Sequence, residues 1–208
     1  MDWRETKAAQ IYYQTLDQYI APHAERISPD QASLIGLGLA VLVPLGFFLA
    51  AFLGVLLMAL SAVSDGLDGY LARQRGEQTR FGAFLDSTLD RFADFFYLMG
   101  FWVYVTTLDL DAFWIHLGLL LALLASFLVS YSKARLEALG GRCDIGLMDR
   151  TARTIYLLVW GLVLALIPPA RIAFLWIGLL PYLILVFVTV WQRISLARRV
   201  LDQEGETV

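Results

Sequence analysis

The sequence has little cysteine, little charge and no basic excess, and each absence excludes something. Cys143 is the one cysteine among 208 residues, so the chain has no internal disulfide and no cysteine spacing of the kind that binds a metal. Charged residues make up only 17% of the chain, and its net charge is -3. Because nucleic-acid-binding proteins normally carry a basic excess, we expect no nucleic-acid partner.

Apolar residues, in contrast, dominate the chain. They account for 59% of it, and the mean hydropathy is +0.64, which is outside the usual range of a soluble domain and indicates a lipid environment. Residues 34–64 carry no charge. As one helix they would extend about 45 Å at ~1.5 Å per residue, which is too long for one ordinary membrane crossing. This run therefore predicts two helices, with a break between Pro44 and Gly54.

Four more helices are predicted from the remaining apolar stretches. They cover about residues 82–106, 111–139, 150–167 and 171–199, with a turn at Pro168 and Pro169. The predicted fold is all-α, a six-span membrane domain over residues 29–200 followed by a C-terminal tail over residues 201–208. Residues 1–28 are predicted to form an amphipathic helix at the membrane surface, because Tyr12, Leu16 and Tyr19 fall near one helical face.

The distribution of lysine and arginine predicts the orientation of these spans. Nearly all of the basic residues fall at ends that share one side of the six-span arrangement, and the opposite turns hold only Arg171. Basic residues near span ends accumulate on the cytoplasmic side. We therefore expect a multi-pass protein of the cell membrane whose basic side faces the cytoplasm.

Acidic residues at the ends of two consecutive predicted helices form two stripes. Asp65 and Asp68 are one turn apart on the first helix, and Asp86, Asp90 and Asp94 follow at steps of four on the second, so each set shares one helical face. Carboxylates packed together at a membrane edge repel each other, and a bound divalent cation relieves that repulsion. Ligand sets made only of oxygen favour Mg²⁺ or Mn²⁺.

Small residues accompany the acids. Gly69 and Ala72 continue the stripe of the first helix, and Gly82 begins that of the second, which favours a ligand that approaches the backbone. The alternative is that the acids form a solvated loop face. Asp94 is one turn beyond the others, and the sequence favours a pair with Arg91 over a metal-binding role for it. The acids lie on the basic side of the arrangement, so the predicted active site faces the cytoplasm.

This segment resembles the signature of the CDP-alcohol phosphatidyltransferase family, D-x2-D-G-x2-A-R-x8-G-x3-D-x3-D. Every fixed position is matched, and the spacings are fixed as well. The matching residues are Asp65, Asp68, Gly69, Ala72, Arg73, Gly82, Asp86 and Asp90. The six-span layout also resembles that of the family, so the resemblance covers nearly the whole chain. It implies an enzyme that transfers a phosphatidyl-type group from a CDP-linked lipid to an alcohol and releases CMP.

The resemblance also implies a role for each motif residue. Metal binding, expected to involve two Mg²⁺ or Mn²⁺ ions, is implied for Asp65, Asp68 and Asp86, with Asp90 completing the site and acting as the general base. Binding of CDP-diacylglycerol or CDP-archaeol is implied for Asp65, Asp68, Gly69, Ala72, Arg73 and Gly82. Two metals can clamp a diphosphate, and a carboxylate near the acceptor hydroxyl can remove its proton. The implied chemistry therefore agrees with the types of residue present.

A second polar cluster on the same predicted side indicates an anionic acceptor. The sequence S-Y-S-K-A-R-L-E covers residues 130–137, and G-L-M-D-R begins at residue 146. Arginine and lysine are the usual partners of phosphate, although basic residues also anchor spans. The pattern resembles that of enzymes that make phosphatidylinositol phosphate or archaetidylinositol phosphate. It implies that the phosphate of inositol 1-phosphate is bound by Ser130, Lys133, Arg153 and Arg193, with Arg150 nearby.

Other functions stay open at this point. Phosphatidylglycerolphosphate synthases also use an anionic acceptor, glycerol 3-phosphate, although the chain lacks their G-K-x-K-T-like segment. An ion or proton transporter keeps carboxylates in its spans, but usually near the bilayer midplane. Membrane prenyltransferases bind a diphosphate through Mg²⁺ with differently spaced acids. The sequence also leaves open whether the protein is a homodimer.

Overall fold

The computed structural model describes residues 28–108, 112–167 and 171–205, with only the backbone of residues 171–172 and 203–205. These residues form six α-helices and no strand, which confirms the predicted all-α class. In chain order the helices are α1 Pro29–Leu49, α2 Ala51–Arg75, α3 Arg80–Thr106, α4 Phe113–Ala138, α5 Arg150–Leu166 and α6 Arg171–Gly205. Residues 1–27 of the predicted surface helix and the proline turn at 168–169 lie outside the described residues.

The bounds of α3, α4 and α5 agree with the predicted ones to within two residues. The helix α2 continues to Arg75, past the uncharged run that ends at residue 64, and α6 differs at the end of the chain. There α6 continues to Gly205, beyond the predicted end at residue 199. The sequence Val-Leu-Asp-Gln-Glu that precedes this glycine contains no helix breaker, so nothing in it stops the helix earlier.

A single residue separates α1 from α2. Ala50 has an extended backbone, with φ -163° and ψ 136°, and it lies within the interval where the uncharged run was predicted to break. Two glycines allow close packing beside this turn, since a Cβ on Gly46 would lie only 2.9 Å from the Cα of Gly54. The two helices therefore form a tight hairpin that leads into the acid-bearing end of α2.

Local capping sets the helix ends that surround the acids. Thr79 Oγ1 accepts a hydrogen bond from the N–H of Gly82 at 2.9 Å, and Asp149 Oδ1 accepts one from the N–H of Ala152 at 2.8 Å. Gly76 ends α2 with φ 64°, in the left-handed region that favours glycine. These caps fix where α2 stops and where α3 and α5 begin, and so where their charged side chains lie.

Aromatic rings from three helices form the centre of the core. Phe47 of α1, Phe101 of α3 and Trp160 of α5 are buried. The ring centroids of Phe47 and Phe101 are 5.0 Å apart, and those of Phe101 and Trp160 are stacked at 4.4 Å. Aromatic side chains bury large apolar areas and prefer such offset contacts. The core thus ties α3 to α5, while α1 packs against α2 and α3, and α4 packs against α6.

Four of the described helices are long and apolar enough to cross a membrane. They are α1, α2, α4 and, within α6, residues Ala173–Asp202. The helix α5 has only 17 residues, and the first half of α3 carries the acids. Large apolar side chains lie exposed on the outer surface, among them Leu34, Phe48 and Trp191, and such a surface suits lipid rather than water. The chain is therefore a membrane protein.

Candidate active site

Three of the predicted metal-binding carboxylates meet at the junction of α2 and α3. Asp65 and Asp68 come from α2 and Asp86 comes from α3, and these residues each place an oxygen within 4.8 Å of the others. Asp68 is buried, Asp65 is half-buried and Asp86 is exposed. The one-turn spacing on α2 and the short connection 76–79 bring them together. We call these three residues the three-carboxylate group.

A serine from α1 holds the most buried member of this group. Ser33 Oγ donates a hydrogen bond to Asp68 Oδ2, and the N–H of Gly69 donates one to Asp68 Oδ1 at 2.5 Å. Asp68 is only 6% exposed, so these donors replace much of its contact with water. Sequence reasoning missed Ser33, because it lies in an apolar helix 35 residues away and no local pattern links it to the acid.

Asp90 lies apart from the three-carboxylate group and is paired with Arg150. The Nη1 atom of Arg150 is 2.7 Å from Asp90 Oδ1. The same guanidinium donates two hydrogen bonds to Asp65, from Nη1 to Oδ2 at 2.5 Å and from Nη2 to Oδ1 at 2.6 Å. Arg150, which the sequence placed near the acceptor, therefore bridges two of the four motif aspartates.

The three-carboxylate group fits a hard divalent cation. All of its donors are carboxylate oxygens, which suit Mg²⁺ or Mn²⁺ better than zinc. A metal–oxygen distance of about 2.1 Å places oxygens on opposite sides of an ion about 4 Å apart, and the oxygens of this group lie within 4.8 Å of one another. One carboxylate, Asp86, is exposed, so an ion has access from the surface.

Two cavities lie beside the three-carboxylate group. The first has a volume of about 560 Å³ and lies between the start of α1, the end of α2 and the start of α3. Five residues that were predicted to bind the CDP-linked lipid line it: Asp68, Gly69, Ala72, Arg73 and Gly82. Asp86 lines it as well. The structure thus gathers that predicted set, apart from Asp65, around one space.

The second cavity has a volume of about 420 Å³ and lies between α2 and α5. Asp65 and Arg150 line its polar part, and apolar side chains that include Val63, Ile155 and Leu158 line the rest. Both cavities share Asp68 and Asp86 as lining residues. A ligand with a polar head and an apolar tail could therefore extend from one cavity into the other past the acids.

Arg153, predicted to bind the acceptor phosphate, is buried between α5 and α3. Its Nη2 donates to Asp94 Oδ2 at 2.6 Å, its Nη1 donates to the carbonyl of Met148 at 3.2 Å, and its side chain is 1% exposed. The expectation that Asp94 pairs with Arg91 is wrong. The guanidinium of Arg91 turns instead toward Asp90, at 3.3 Å, which leaves Asp94 to the arginine from α5.

Arg193, also predicted to bind the phosphate, holds the segment that precedes α5. Its Nε donates to the carbonyl of Ile145 at 3.0 Å, and its residue is only 5% exposed. One turn earlier on α6, Thr189 Oγ1 accepts a hydrogen bond from the N–H of Met148 at 3.0 Å. Gly146 between these contacts has φ 131° and no room for a Cβ, which would lie 2.7 Å from Thr189.

The remaining predicted acceptor residues lie elsewhere. Lys133 is exposed and pairs with Glu137 at 3.7 Å along α4. Ser130 is half-buried and lines a third cavity of about 640 Å³ between α3 and α4, beside Arg91 and several phenylalanines. None of the three cavities described here gathers the acceptor set in one place. Its role as a set stays a prediction.

Comparison with known proteins places this site in a family. The sequence profile described as CDP-alcohol phosphatidyltransferase matches residues 28–191. The archaetidylinositol phosphate synthase of Methanothermobacter thermautotrophicus is 35% identical over 185 residues, which cover 86% of this chain and 91% of that protein.

Solved structures agree with the profile. The crystal structure of Mycobacterium tuberculosis phosphatidylinositol phosphate synthase with CDP-DAG bound superposes with a TM-score of 0.72 at 29% identity, and covers 86% of this chain and 94% of that one. The same enzyme in complex with manganese and citrate gives a TM-score of 0.70 at 29% identity, with 85% and 87% covered. With the profile match over most of its length and the spaced aspartates gathered at one site, this chain belongs to the CDP-alcohol phosphatidyltransferase family and is a transferase.

Proposed function

We propose that this transferase moves a phosphatidyl or archaetidyl group from a CDP-linked lipid to inositol 1-phosphate and releases CMP. The observation that carries the proposal is the three-carboxylate group beside two cavities that share two of its members. The relatives named for phosphatidylinositol phosphate and archaetidylinositol phosphate synthesis support the choice of acceptor.

The donor, CDP-diacylglycerol or CDP-archaeol, occupies both cavities in this proposal. Its CDP group fills the cavity of about 560 Å³, where Gly69 and Gly82 leave backbone accessible and Arg73 supplies positive charge for the diphosphate. Its apolar chains lie along the wall formed by Ile155 and Leu158 in the second cavity. The diphosphate then passes beside the carboxylates that both cavities share.

The proposed metal ligands are Asp65, Asp68 and Asp86, with Asp90 completing the site for two Mg²⁺ or Mn²⁺ ions. These carboxylates would hold divalent ions against the diphosphate, and the ions would supply positive charge to stabilise the negative charge that develops at the attacked phosphorus. Ser33 orients the carboxylate of Asp68 toward this role through its hydrogen bond, because a ligand that is itself hydrogen-bonded keeps its orientation.

Asp90 acts as the general base in the transfer step. It takes the proton of the acceptor hydroxyl, and the hydroxyl oxygen forms a bond to the phosphorus that carries the lipid. The bond from that phosphorus to the oxygen it shares with CMP breaks, and CMP leaves with the electron pair. Asp90 is only 7% exposed, which suits a base that works out of contact with bulk water.

The acceptor phosphate is proposed to bind Ser130, Lys133, Arg153 and Arg193, with Arg150 nearby. Lys133 is exposed, whereas the two buried arginines would exchange a carboxylate or carbonyl partner for the phosphate. Glycerol 3-phosphate is the alternative acceptor, because its phosphate carries the same charge.

The proposed arrangement in the membrane has six spans over residues 29–200, with α3 and α5 crossing beside the four apolar helices. The surface helix proposed for residues 1–28 would lie on the side of the active site, and α6 carries the chain on to Gly205, beyond the last proposed span. The concentration of lysine and arginine at one set of span ends supports an active site that faces the cytoplasm.

The test is an acceptor screen with the purified protein and CDP-diacylglycerol or CDP-archaeol in mixed micelles. Radiolabelled inositol 1-phosphate should yield a labelled lipid and one CMP for each transfer. A chelator should stop the reaction, and Mg²⁺ or Mn²⁺ should restore it. If glycerol 3-phosphate yields product and inositol 1-phosphate does not, the proposed acceptor is wrong, although the family assignment is unaffected. The absence of CMP release with every acceptor would overturn the proposed reaction.

The role of Asp90 has its own test. Asp90→Asn should lose turnover, because an amide does not take up the proton, and should still bind CDP, because the three-carboxylate group is intact. Equilibrium binding of radiolabelled CDP and CMP release measure the two properties separately. Near-normal CMP release by Asp90→Asn would remove Asp90 as the base.

A further inference from the structure

Arg150 contacts two motif aspartates that belong to different parts of the site. Its guanidinium spans Asp65, at 2.5 and 2.6 Å, and Asp90, at 2.7 Å. Both oxygens of Asp65 accept from it. Asp65 is also a member of the three-carboxylate group, so one carboxylate is shared between an arginine and the candidate cation site.

A cation at the three-carboxylate group would compete with this arginine. Two positive charges that share one carboxylate repel each other, and at a partly buried site this repulsion is stronger than it would be in water. Arg150 also pairs with the carboxylate of Asp90, which the proposed reaction needs as a base.

The surroundings of Arg150 allow it to move. It is the first residue of α5, directly after the Asp149 cap, and its side chain is 26% exposed and lines the cavity of about 420 Å³. Arg153, one turn later, is 1% exposed with its guanidinium enclosed. The guanidinium of Arg150 therefore has an adjoining space into which it would move when it leaves the acids, whereas Arg153 lines none of the three cavities described above.

We infer that Arg150 is a positioning residue that serves as a built-in counter-cation, neutralising Asp65 and Asp90 and being displaced when a divalent cation binds. This inference rests on the proposed function and adds a regulation of the same site. Its consequence is that Arg150 lowers the affinity for the cation while it keeps Asp90 apart from the three-carboxylate group. Removal of its charge should therefore raise metal affinity, the opposite of what loss of a supporting contact would do.

The test is a titration of the purified protein with Mn²⁺ in detergent, without substrate, followed by the electron paramagnetic resonance signal of free Mn²⁺. Arg150→Gln should bind Mn²⁺ about tenfold more tightly than the parent protein. Arg150→Lys should show a smaller gain, because it keeps the charge but an ammonium lacks the planar fork that spans both carboxylates. Arg91→Gln is the matched control, since Arg91 contacts Asp90 but no contact joins it to Asp65, and its affinity should change less than about twofold.

Each outcome bears on a separate claim. Unchanged or weaker Mn²⁺ binding by Arg150→Gln would overturn the inference and leave Arg150 as a support for the acids. If Arg150→Gln does not fold, as judged by gel filtration and thermal unfolding, Arg150→Lys decides the question, and an affinity no higher than that of the parent overturns the inference. A parent protein that binds no Mn²⁺ would overturn the metal site of the proposed function itself.

Discussion

Two ion pairs, each between an aspartate of α3 and an arginine of α5, join these helices, and they differ in their exposure and in their other contacts. At the outer pair, Asp90 meets Arg150, and at the inner pair, one turn along both helices, Asp94 meets Arg153. The side chains of the outer pair are 10% and 26% exposed, and those of the inner pair are 4% and 1% exposed. The outer arginine is shared with a candidate metal ligand and opens on a cavity, whereas the inner arginine is enclosed.

This difference shows that the residue types of an ion pair do not decide its role, which depends on its exposure and on its other contacts. The inner pair ties α3 to α5 and, through the carbonyl of Met148, to the segment before α5. It therefore supports the scaffold in the state described. In the proposed reaction the outer pair is exchanged, because the acceptor hydroxyl would replace Arg150 beside Asp90 and a cation would replace it beside Asp65.

The largest effect should come from breaking the inner pair. Arg153→Met leaves Asp94 as a buried charge without its partner, so it should lower the free energy of unfolding by about 3–5 kcal/mol. Thermal unfolding in detergent measures the change. The double variant Asp94→Leu with Arg153→Met should recover most of the loss, because it removes both charges and keeps side chains of similar volume.

The same variants separate scaffold from acceptor binding. If Arg153 serves chiefly the phosphate of the acceptor, Arg153→Met should unfold near the temperature of the parent protein and show only a raised apparent KM for inositol 1-phosphate. That result would contradict a structural inner pair. A stability loss without recovery in the double variant would show that the ion pair itself, rather than the unpaired charge, is what the fold requires.

Much of this site was predictable from the sequence, because its parts are local. Asp65 and Asp68 lie one turn apart and so share a face of α2, and the short connection to α3 brings Asp86 beside them, so periodicity and connection length together predict the group. The break near Ala50 was predictable from length. In both cases the spacing along one or two adjacent helices decides the outcome.

The contacts that the sequence did not predict join distant helices. Arg153 and Asp94 are 59 residues apart, and Ser33 and Asp68 are 35 apart. The local alternative for Asp94, a pair with Arg91, is wrong because Asp94 is buried against Arg153 from α5, while the Arg91 side chain turns back toward Asp90. Arg150 was singled out by charge, but only tertiary packing shows that its partners are carboxylates.

A smaller effect should come from Ser33→Ala, which touches the acid site without touching either pair. It removes the hydrogen bond to Asp68, and loss of such an orienting partner typically weakens metal binding about 10–100-fold. Mn²⁺ titration checks it. Ser87→Ala is the control, because Ser87 donates only to the carbonyl of Phe84 on its own helix, and Ser33→Thr should restore binding. Equal affinity of Ser33→Ala and the parent would remove Ser33 from the metal site.

The smallest effect on stability should come from Lys133, the predicted acceptor cation that is exposed. Its pair with Glu137 is 3.7 Å long, and both side chains are 46% exposed, so Lys133→Ala should change the free energy of unfolding by less than about 0.5 kcal/mol. A role in binding the acceptor phosphate predicts in addition a rise of about tenfold in the apparent KM for inositol 1-phosphate, because a charge-assisted contact is lost. Glu137→Ala breaks the same surface pair but keeps the cation, so it should leave that KM unchanged.

If both variants leave the KM unchanged, Lys133 does not contact the acceptor. If both raise it equally, the surface pair rather than the charge of Lys133 is responsible. Only a rise confined to Lys133→Ala identifies Lys133 as an exposed cation that binds substrate, in contrast to the enclosed guanidinium of Arg153.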